Sequence, residues 1–416
     1  MRYLSTLMML LLATAASAQY QLTADIYNPG SKDLLNTPVC ISLEQYQDVM
    51  TGVVFIDGKE IPSQLDDLNR DGAKDEICFL VDVPKHQTIH ANITLIPAGT
   101  EAAALIAPQE YTPRTYAEIV LRNPAVKEKN RHDIYLDAIT ADRRTANSYN
   151  VQHHHGVAFE NELIAVRIYF DQRQTLDLYG KFSQGLELEQ TQFYTSPEQK
   201  QQGYGDDVLW VGNSFGLGAL RGWNGRKPTM ISNVERRTQR IISSGPVRTV
   251  VEVEDGGWIP EGSPSTFAPL NMTIRYTLYA GHRDIDVCAR FNRNVKDLLF
   301  STGVINVKGS QEFSDHKGLR GCWGTDWPAS DTLNWKKETV GLGILVPQEH
   351  MVSEVPATQE NYAFVIRPND KNQLCYKLTY TSNNEHDFGV HSDKAWFEWL
   401  KAWRKETEQP VRVNIR

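Results

Sequence analysis

Apolar and polar residues alternate with a period of two along much of this chain, and that period predicts strands. The clearest case is the stretch 153–181, HHHGVAFENELIAVRIYFDQRQTLDLYGK. Val166, Ile168 and Phe170 share one face, and Arg167 and Tyr169 share the other. Asp177, Tyr179 and Lys181 then lie opposite Leu176 and Leu178. The polar link Asp171-Gln172-Arg173-Gln174 predicts a hairpin. If the two strands pair, Arg167, Tyr169, Asp177, Tyr179 and Lys181 form one polar-aromatic surface over an apolar layer. His153, His154 and His155 stand at its entrance. Antiparallel sheets often leave a polar face to water, which is the ordinary explanation. Tyrosines offer ring surface plus a hydroxyl, which favours a site instead.

The same reading applies along the rest of the chain. Short strands are predicted at 21–27, 39–43, 53–55, 77–83 and 88–96, separated by turns such as Asn28-Pro29-Gly30 and Asp57-Gly58, a small β-sandwich pattern. Residues 98–112 read as a linker. Longer strands follow to about residue 382, with a hairpin over 271–291 turning at Ala280-Gly281-His282-Arg283. One helix is predicted over 393–407, capped by Ser392, with Trp396, Trp399, Leu400 and Trp403 as a packing stripe. The expected class is all-β: a small sandwich at 19–112, then a large one at 113–416 with a C-terminal helix.

Composition narrows the function. The chain has 416 residues, too many for one ordinary core. Arg2, an apolar run over 4–16 and Ala16-Ser17-Ala18 read as a signal peptide over 1–18, which places the protein in a periplasm or outside the cell. No other stretch is long and apolar enough to cross a membrane as a helix, so no membrane insertion is expected. The net charge of -8 argues against nucleic acid. Of the five cysteines, Cys40 and Cys78 sit in strand-like runs and are read either as a disulfide or as buried thiols.

Several stretches could carry chemistry. Asp67, Asn69, Asp71 and Asp75 alternate around Asp71-Gly72. They form either a structural calcium loop or an acidic turn held by its own side chains. Cys78 stands where an EF-hand would place its bidentate Glu. The histidine triplet suits a general base better than a metal, because only His153 and His155 would share a strand face. The loop 203–227 offers Tyr204, Asp206, Asp207, Trp210, Arg221, Trp223 and Arg226, a mixture that suits a sugar bearing a carboxylate. The loop 318–327 offers Arg320, Trp323, Asp326 and Trp327.

GPVRTVVEVE and RYTLYAGHRDIDV resemble the galactose-mutarotase-like β-supersandwich, which recurs in carbohydrate epimerases, glycoside hydrolases and polysaccharide lyases. HHG-x-AFEN, AVRIYFD, DLYGK and VGNSFGLGALRGWNG are together similar to a family of unknown-function proteins from polysaccharide-utilisation loci of Bacteroidetes. This resemblance spans nearly all of the chain after residue 18. It implies a large supersandwich carrying the active cleft, and a relation to an oligosaccharide dehydratase of ulvan degradation.

These readings converge on β-elimination at a uronic-acid residue of an acidic oligosaccharide, by a lyase or dehydratase needing no cofactor for its chemistry. Arg167 or Arg221 would neutralise the carboxylate. His155, or His153 in second place, would take the C5 proton, and Tyr204 or Tyr179 would protonate the leaving oxygen. Tyr169, Asp177, Lys181 and Trp223 would bind the substrate. Two alternatives are glycoside hydrolysis by a pair among Asp177, Asp206 and Glu160, and sugar binding without catalysis.

Overall fold

The computed structural model describes residues 19–46, 48–99, 109–123, 125–126, 128–144, 148–329, 332–333 and 335–416. The expected signal peptide and most of the expected linker lie outside the described residues.

The architecture is an all-β sandwich built from several sheets. In the small unit, a five-stranded sheet runs Arg412–Ile415, Tyr20–Tyr27, Thr88–Pro97, Val49–Ile56, Lys59–Ile61. A three-stranded sheet of Leu34–Ser42, Glu76–Val83 and Ser63–Asp66 belongs to the same unit. The alternation seen in sequence sets which side chains enter its core: Leu22, Ala24 and Ile26 point in, among Val39, Ile77, Phe79, Ile93 and Leu95. One member comes from the far end of the chain. Arg412–Ile415 pairs with Tyr20–Tyr27, setting Ile415 opposite Ala24. All four of its residues are exposed, so it lacks the alternation that would have marked it as a strand.

The large unit is organised on a nine-stranded antiparallel sheet. The expected hairpin is at its centre: Leu270–Tyr279 pairs with Asp284–Phe291, with Tyr276 opposite Val287. A six-stranded sheet carries Gly156–Asn161, Ala165–Tyr169 and Leu176–Gly180, and a five-stranded sheet carries Arg221–Trp223, Phe300–Ile305 and Asn361–Ile366. One apolar core joins all three sheets. Val166, Ile168, Leu176 and Leu178 meet Val251, Val253, Ile274 and Tyr276 there, together with Phe300, Val304 and Phe364. Each fully buried Leu, Ile or Val contributes about 1.5–3 kcal/mol relative to exposure.

The C-terminal helix spans Asp393–Thr407, and the Ser392 side chain accepts the Ala395 N–H at its start. Trp396, Leu400 and Trp403 are buried. Gly341 and Gly343 make room for them, since a Cβ at Gly341 would lie 2.8 Å from the Trp396 ring and one at Gly343 would lie 2.4 Å from Leu400.

Two disulfides join directly opposed residues of neighbouring strands. One is Cys40–Cys78, and the other is Cys288–Cys375. Cys322 is free and buried. The two units meet through Arg248, whose guanidinium pairs with Asp66 and Glu76.

The acidic loop is closed by its own side chains. Asp67 accepts the Arg70 and Gly72 N–H groups, Asn69 accepts that of Asp71, and Asp71 accepts that of Ala73. Asp75 takes the N–H groups of Leu68 and Asn69 and the Asn69 amide. Among the described residues, no group of three or more His, Cys, Asp or Glu side chains is arranged to hold a metal ion. Asp75→Ala strips three donors of their acceptor. Because these donors are half-buried or exposed, it is expected to cost about 0.5–1.5 kcal/mol in denaturant unfolding, with turnover by the folded protein unchanged.

Candidate functional site

The expected hairpin forms, with Arg167 opposite Asp177 and Ala165 opposite Tyr179. Its polar face is covered by the segment 182–205 rather than open to water. Phe193 from that segment lies 4.1 Å from the Arg167 guanidinium, and Tyr194 lies 4.8 Å from it. Arg167, Tyr169, Asp177, Tyr179 and Lys181 are all buried.

Three of these five residues meet at one end. Arg167 donates to Asp177 Oδ2 through Nε (3.1 Å) and Nη2 (2.6 Å), and Nη2 also reaches Tyr194 Oη at 2.8 Å and Asp207 Oδ2 at 3.1 Å. The Tyr169 hydroxyl donates to Asp177 Oδ2 at 2.5 Å. Burial and the neighbouring Asp177 push the Asp207 carboxyl well above the usual range. Arg167 is thus shared by two carboxyls, Asp177 at 2.6 Å and Asp207 at 3.1 Å. Arg167 Nη1 has no hydrogen-bond partner among the described residues.

The other two residues serve elsewhere. The Tyr179 hydroxyl donates to Glu187 Oε2 at 2.8 Å, and burial raises its pKa. Lys181 binds Glu160 at 2.6 Å and the carbonyls of Asn161 and Gly185. Both are fully enclosed, so Tyr179 is not placed to protonate a leaving group and Lys181 is not placed to hold a sugar hydroxyl. Of the acids weighed for hydrolysis, Asp177 is held by Arg167, Glu160 by Lys181 and Asp206 by Lys200.

The three histidines face three different environments. His153 Nε2 lies 2.9 Å from Asp133. His154 is fully buried against Glu118, and burial lowers its pKa to about 4. His155 is only partly buried. A left-handed backbone at His155, φ 59°, turns its side chain away from the strand that follows. Gly156 permits the close approach behind it, since a Cβ there would sit 1.9 Å from the Ile168 carbonyl oxygen.

The imidazole is held on both sides. Its ring stacks on Tyr149 with centroids 4.1 Å apart and planes 3° apart, and it meets the Tyr169 ring edge-on at 6.3 Å. Nδ1 lies 3.0 Å from the Tyr149 carbonyl, which can only accept, so the neutral ring carries its proton there. Nε2 is then an acceptor with no hydrogen-bond partner among the described residues. Burial and Arg167 push the His155 pKa down to about 4, and His154 and Arg122 add to this. The imidazole is neutral at pH 7 and sits in a positive field. Arg173 completes the cluster, 5.1 Å from the Tyr149 ring centre and 4.6 Å from that of Tyr169, and it is paired with Asp171.

The remaining expected residues lie apart from the imidazole. Arg221 is buried on the core side, donating to Thr175 and the Ser214 carbonyl at 3.0 Å each, and burial lowers it to about 10. Trp223 ends the strand Arg221–Trp223, opposite Pro228. Tyr204 follows the short helix Pro197–Gln201, where its N–H bonds Gln199. Tyr149 and Arg173 were not anticipated. Tyr149 carries no periodicity signal, and Arg173 reads as part of a turn.

The loops 203–227 and 318–327 converge on a cavity of about 630 Å³, lined among others by Trp210, Asn213, Asp326, Trp327, Glu338 and Glu360.

No curated protein matches the sequence. A solved glycosyl hydrolase family 38 protein from Enterococcus faecalis is similar at 11% identity and a TM-score of 0.43, over 95% of this chain and 47% of that one. An alpha-mannosidase from Enterococcus faecalis V583 is similar at 10% identity and a TM-score of 0.41, over 95% and 46%. The chain thus spans about half the length of these structures. The model of a family described as a domain of unknown function, DUF4861, matches residues 26–413, and the chain belongs to that family.

Proposed function

We propose that the protein is a carbohydrate-active enzyme that performs β-elimination on a uronic-acid residue of an oligosaccharide, as a lyase or dehydratase. The observation that carries this reading is the His155 imidazole: neutral, fixed as the Nδ1–H tautomer, with no hydrogen-bond partner for Nε2 among the described residues and two tyrosine rings beside it. A positive field at that position suits an anionic sugar. Burial first, and the Arg167 charge second, make the free imidazole a weak base, and an anion bound there would raise the basicity of Nε2.

In this reading, Nε2 takes the C5 proton. The C5–H electron pair becomes the C4=C5 double bond, and the C4–O bond breaks. The departing oxygen takes a proton from Tyr149, whose ring lies against the imidazole. Arg173, rather than Arg167 or Arg221, is the arginine beside both tyrosines and takes the place next to the substrate carboxylate. Two disulfides support a periplasmic or secreted location, because such bonds persist in oxidising compartments.

The test is incubation with uronate oligosaccharides, reading ultraviolet absorbance and product mass. Elimination gives a double bond conjugated to the carboxylate. A dehydratase product loses the mass of water, whereas a lyase splits the chain. New reducing ends without that absorbance would show hydrolysis, the second reading. Asp326 and Glu338, opposed across neighbouring strands at the cavity, are its best carboxylate pair.

The pH profile follows from the same geometry. The free enzyme loses its base only when Nε2 is protonated, so kcat/KM should stay level from pH 8 to about 5 and halve near about 4. The limb in kcat should lie at higher pH, because a bound carboxylate raises the imidazole pKa. A kcat/KM limb near the unperturbed value of about 6.5 would show that His155 is not held as described.

A further inference from the structure

The 630 Å³ cavity beside the loop 208–214 has no part in the chemistry at His155. Its size falls in the range of about 300–1,000 Å³ usual for small-molecule sites. Trp210, on its wall, leaves 54% of its surface exposed, an unusual cost for so large an apolar ring. Trp327 lines the same space and is partly exposed. Asp326 and Glu338 are direct partners across the antiparallel pair Leu319–Asp326 and Glu338–Leu345. Such partners lie about 4.5–5.5 Å apart at Cα, which sets the two carboxylates side by side, with Glu338 Oε2 held by the Asn384 amide at 2.8 Å. The side chains of Asp326, Glu360 and Asn213 make no hydrogen bond to other described residues, which leaves their polar atoms for a ligand.

The charge balance selects the ligand. Three carboxylates, Asp326, Glu338 and Glu360, line the cavity with one ammonium, Lys308, and Lys337 lies 5.8 Å from the Trp327 ring centre at its edge. The lining itself carries an excess of carboxylates, which disfavours a uronate carboxylate relative to an uncharged sugar. Aromatic rings with acceptor pairs and an amide are what a neutral sugar ring needs: its C–H face stacks, and its vicinal hydroxyls donate.

The cavity also adjoins the imidazole cluster. Gly212 lines it, and the Gly212 carbonyl lies 3.5 Å from Nη1 of Arg173, the arginine that packs over Tyr149 and Tyr169.

We infer that the cavity framed by Trp210, Trp327, Asp326 and Glu338 is a binding site for a neutral pyranose unit, next to the site of elimination. Its place as a neighbouring subsite rests on the reading of His155. Its ability to bind a neutral sugar does not.

The experiment is titration of the full chain with xylotetraose, cellotetraose and tetragalacturonate, followed by calorimetry and tryptophan fluorescence. The expected result is saturable binding of at least one neutral tetrasaccharide with a change in tryptophan emission. Trp210→Ala and Asp326→Asn should each weaken it by about tenfold or more, and His155→Ala should leave it intact. Both substitutions are at incompletely buried side chains, so the circular dichroism of the variants should match the parent. Absence of binding by both neutral sugars, or unchanged affinity in Trp210→Ala, overturns the inference. Neutral-sugar binding with no conjugated product from any uronate would leave the cavity standing and remove the elimination reading. Conjugated product with no neutral-sugar binding would do the reverse.

Discussion

Replacing His155 with Ala should lower kcat on a uronate oligosaccharide by about a hundredfold or more, the usual effect of removing a positioned general base. The fold should survive the change. His155 is only partly buried, its side chain bonds the Tyr149 carbonyl, and its backbone bonds to Gln152 and Phe170 do not depend on the imidazole. The left-handed backbone at φ 59° is a cost already present in the parent, and Ala, which favours that region less than His, adds only a small amount to it. Substrate affinity should change little, because the carboxylate is assigned to Arg173. Loss of kcat with KM retained is the signature of a group that acts in the transition state. Near-parental turnover in His155→Ala, alongside an inactive Tyr149→Phe, would make the tyrosine the base.

Replacing Arg167 with Leu should cost about 3–5 kcal/mol in denaturant unfolding, the expected effect of breaking a buried ion pair from one side. Asp177 is 1% exposed and would keep only the Tyr169 hydroxyl and the Leu178 N–H. Asp207 is already pushed toward its neutral form, so Asp177 bears the uncompensated charge. Removing that charge as well, in Arg167→Leu with Asp177→Leu, should recover part of the loss, since a well-packed apolar pair can replace a buried ion pair. A loss below about 1 kcal/mol in the single variant would mean that water reaches the pair, and that the cover formed by Phe193 and Tyr194 opens in solution.

The shared face of Arg167, Tyr169, Asp177, Tyr179 and Lys181 was legible because a period of two depends only on backbone geometry. What covers that face was not legible. Phe193, Glu187 and Gly185 come from a segment without regular periodicity, and no alternation rule says where such a segment folds back. The polar face therefore looked like a cleft wall, whereas Tyr179 and Lys181 are enclosed by partners of their own. The histidine triplet failed differently. A strand would put His153 and His155 on one side, but the left-handed turn at His155 sends only that ring toward Tyr149 and Tyr169. The hairpin over 271–291 and the tryptophan helix were legible because their patterns are long and their turn or cap chemistry agrees with them. The pairing of Cys288 with Cys375 was not. The two cysteines are 87 residues apart in sequence, and nothing local relates them.

The central claim is that the protein breaks the C5–H bond of a uronic acid at His155. It is tested most directly by following ultraviolet absorbance during incubation with uronate oligosaccharides that carry hydrogen or deuterium at C5. The account predicts a conjugated unsaturated product, formed several-fold more slowly from the deuterated substrate and not formed measurably by His155→Ala. Cleavage that releases reducing ends with no conjugated product, at the same rate for both isotopes, would contradict it.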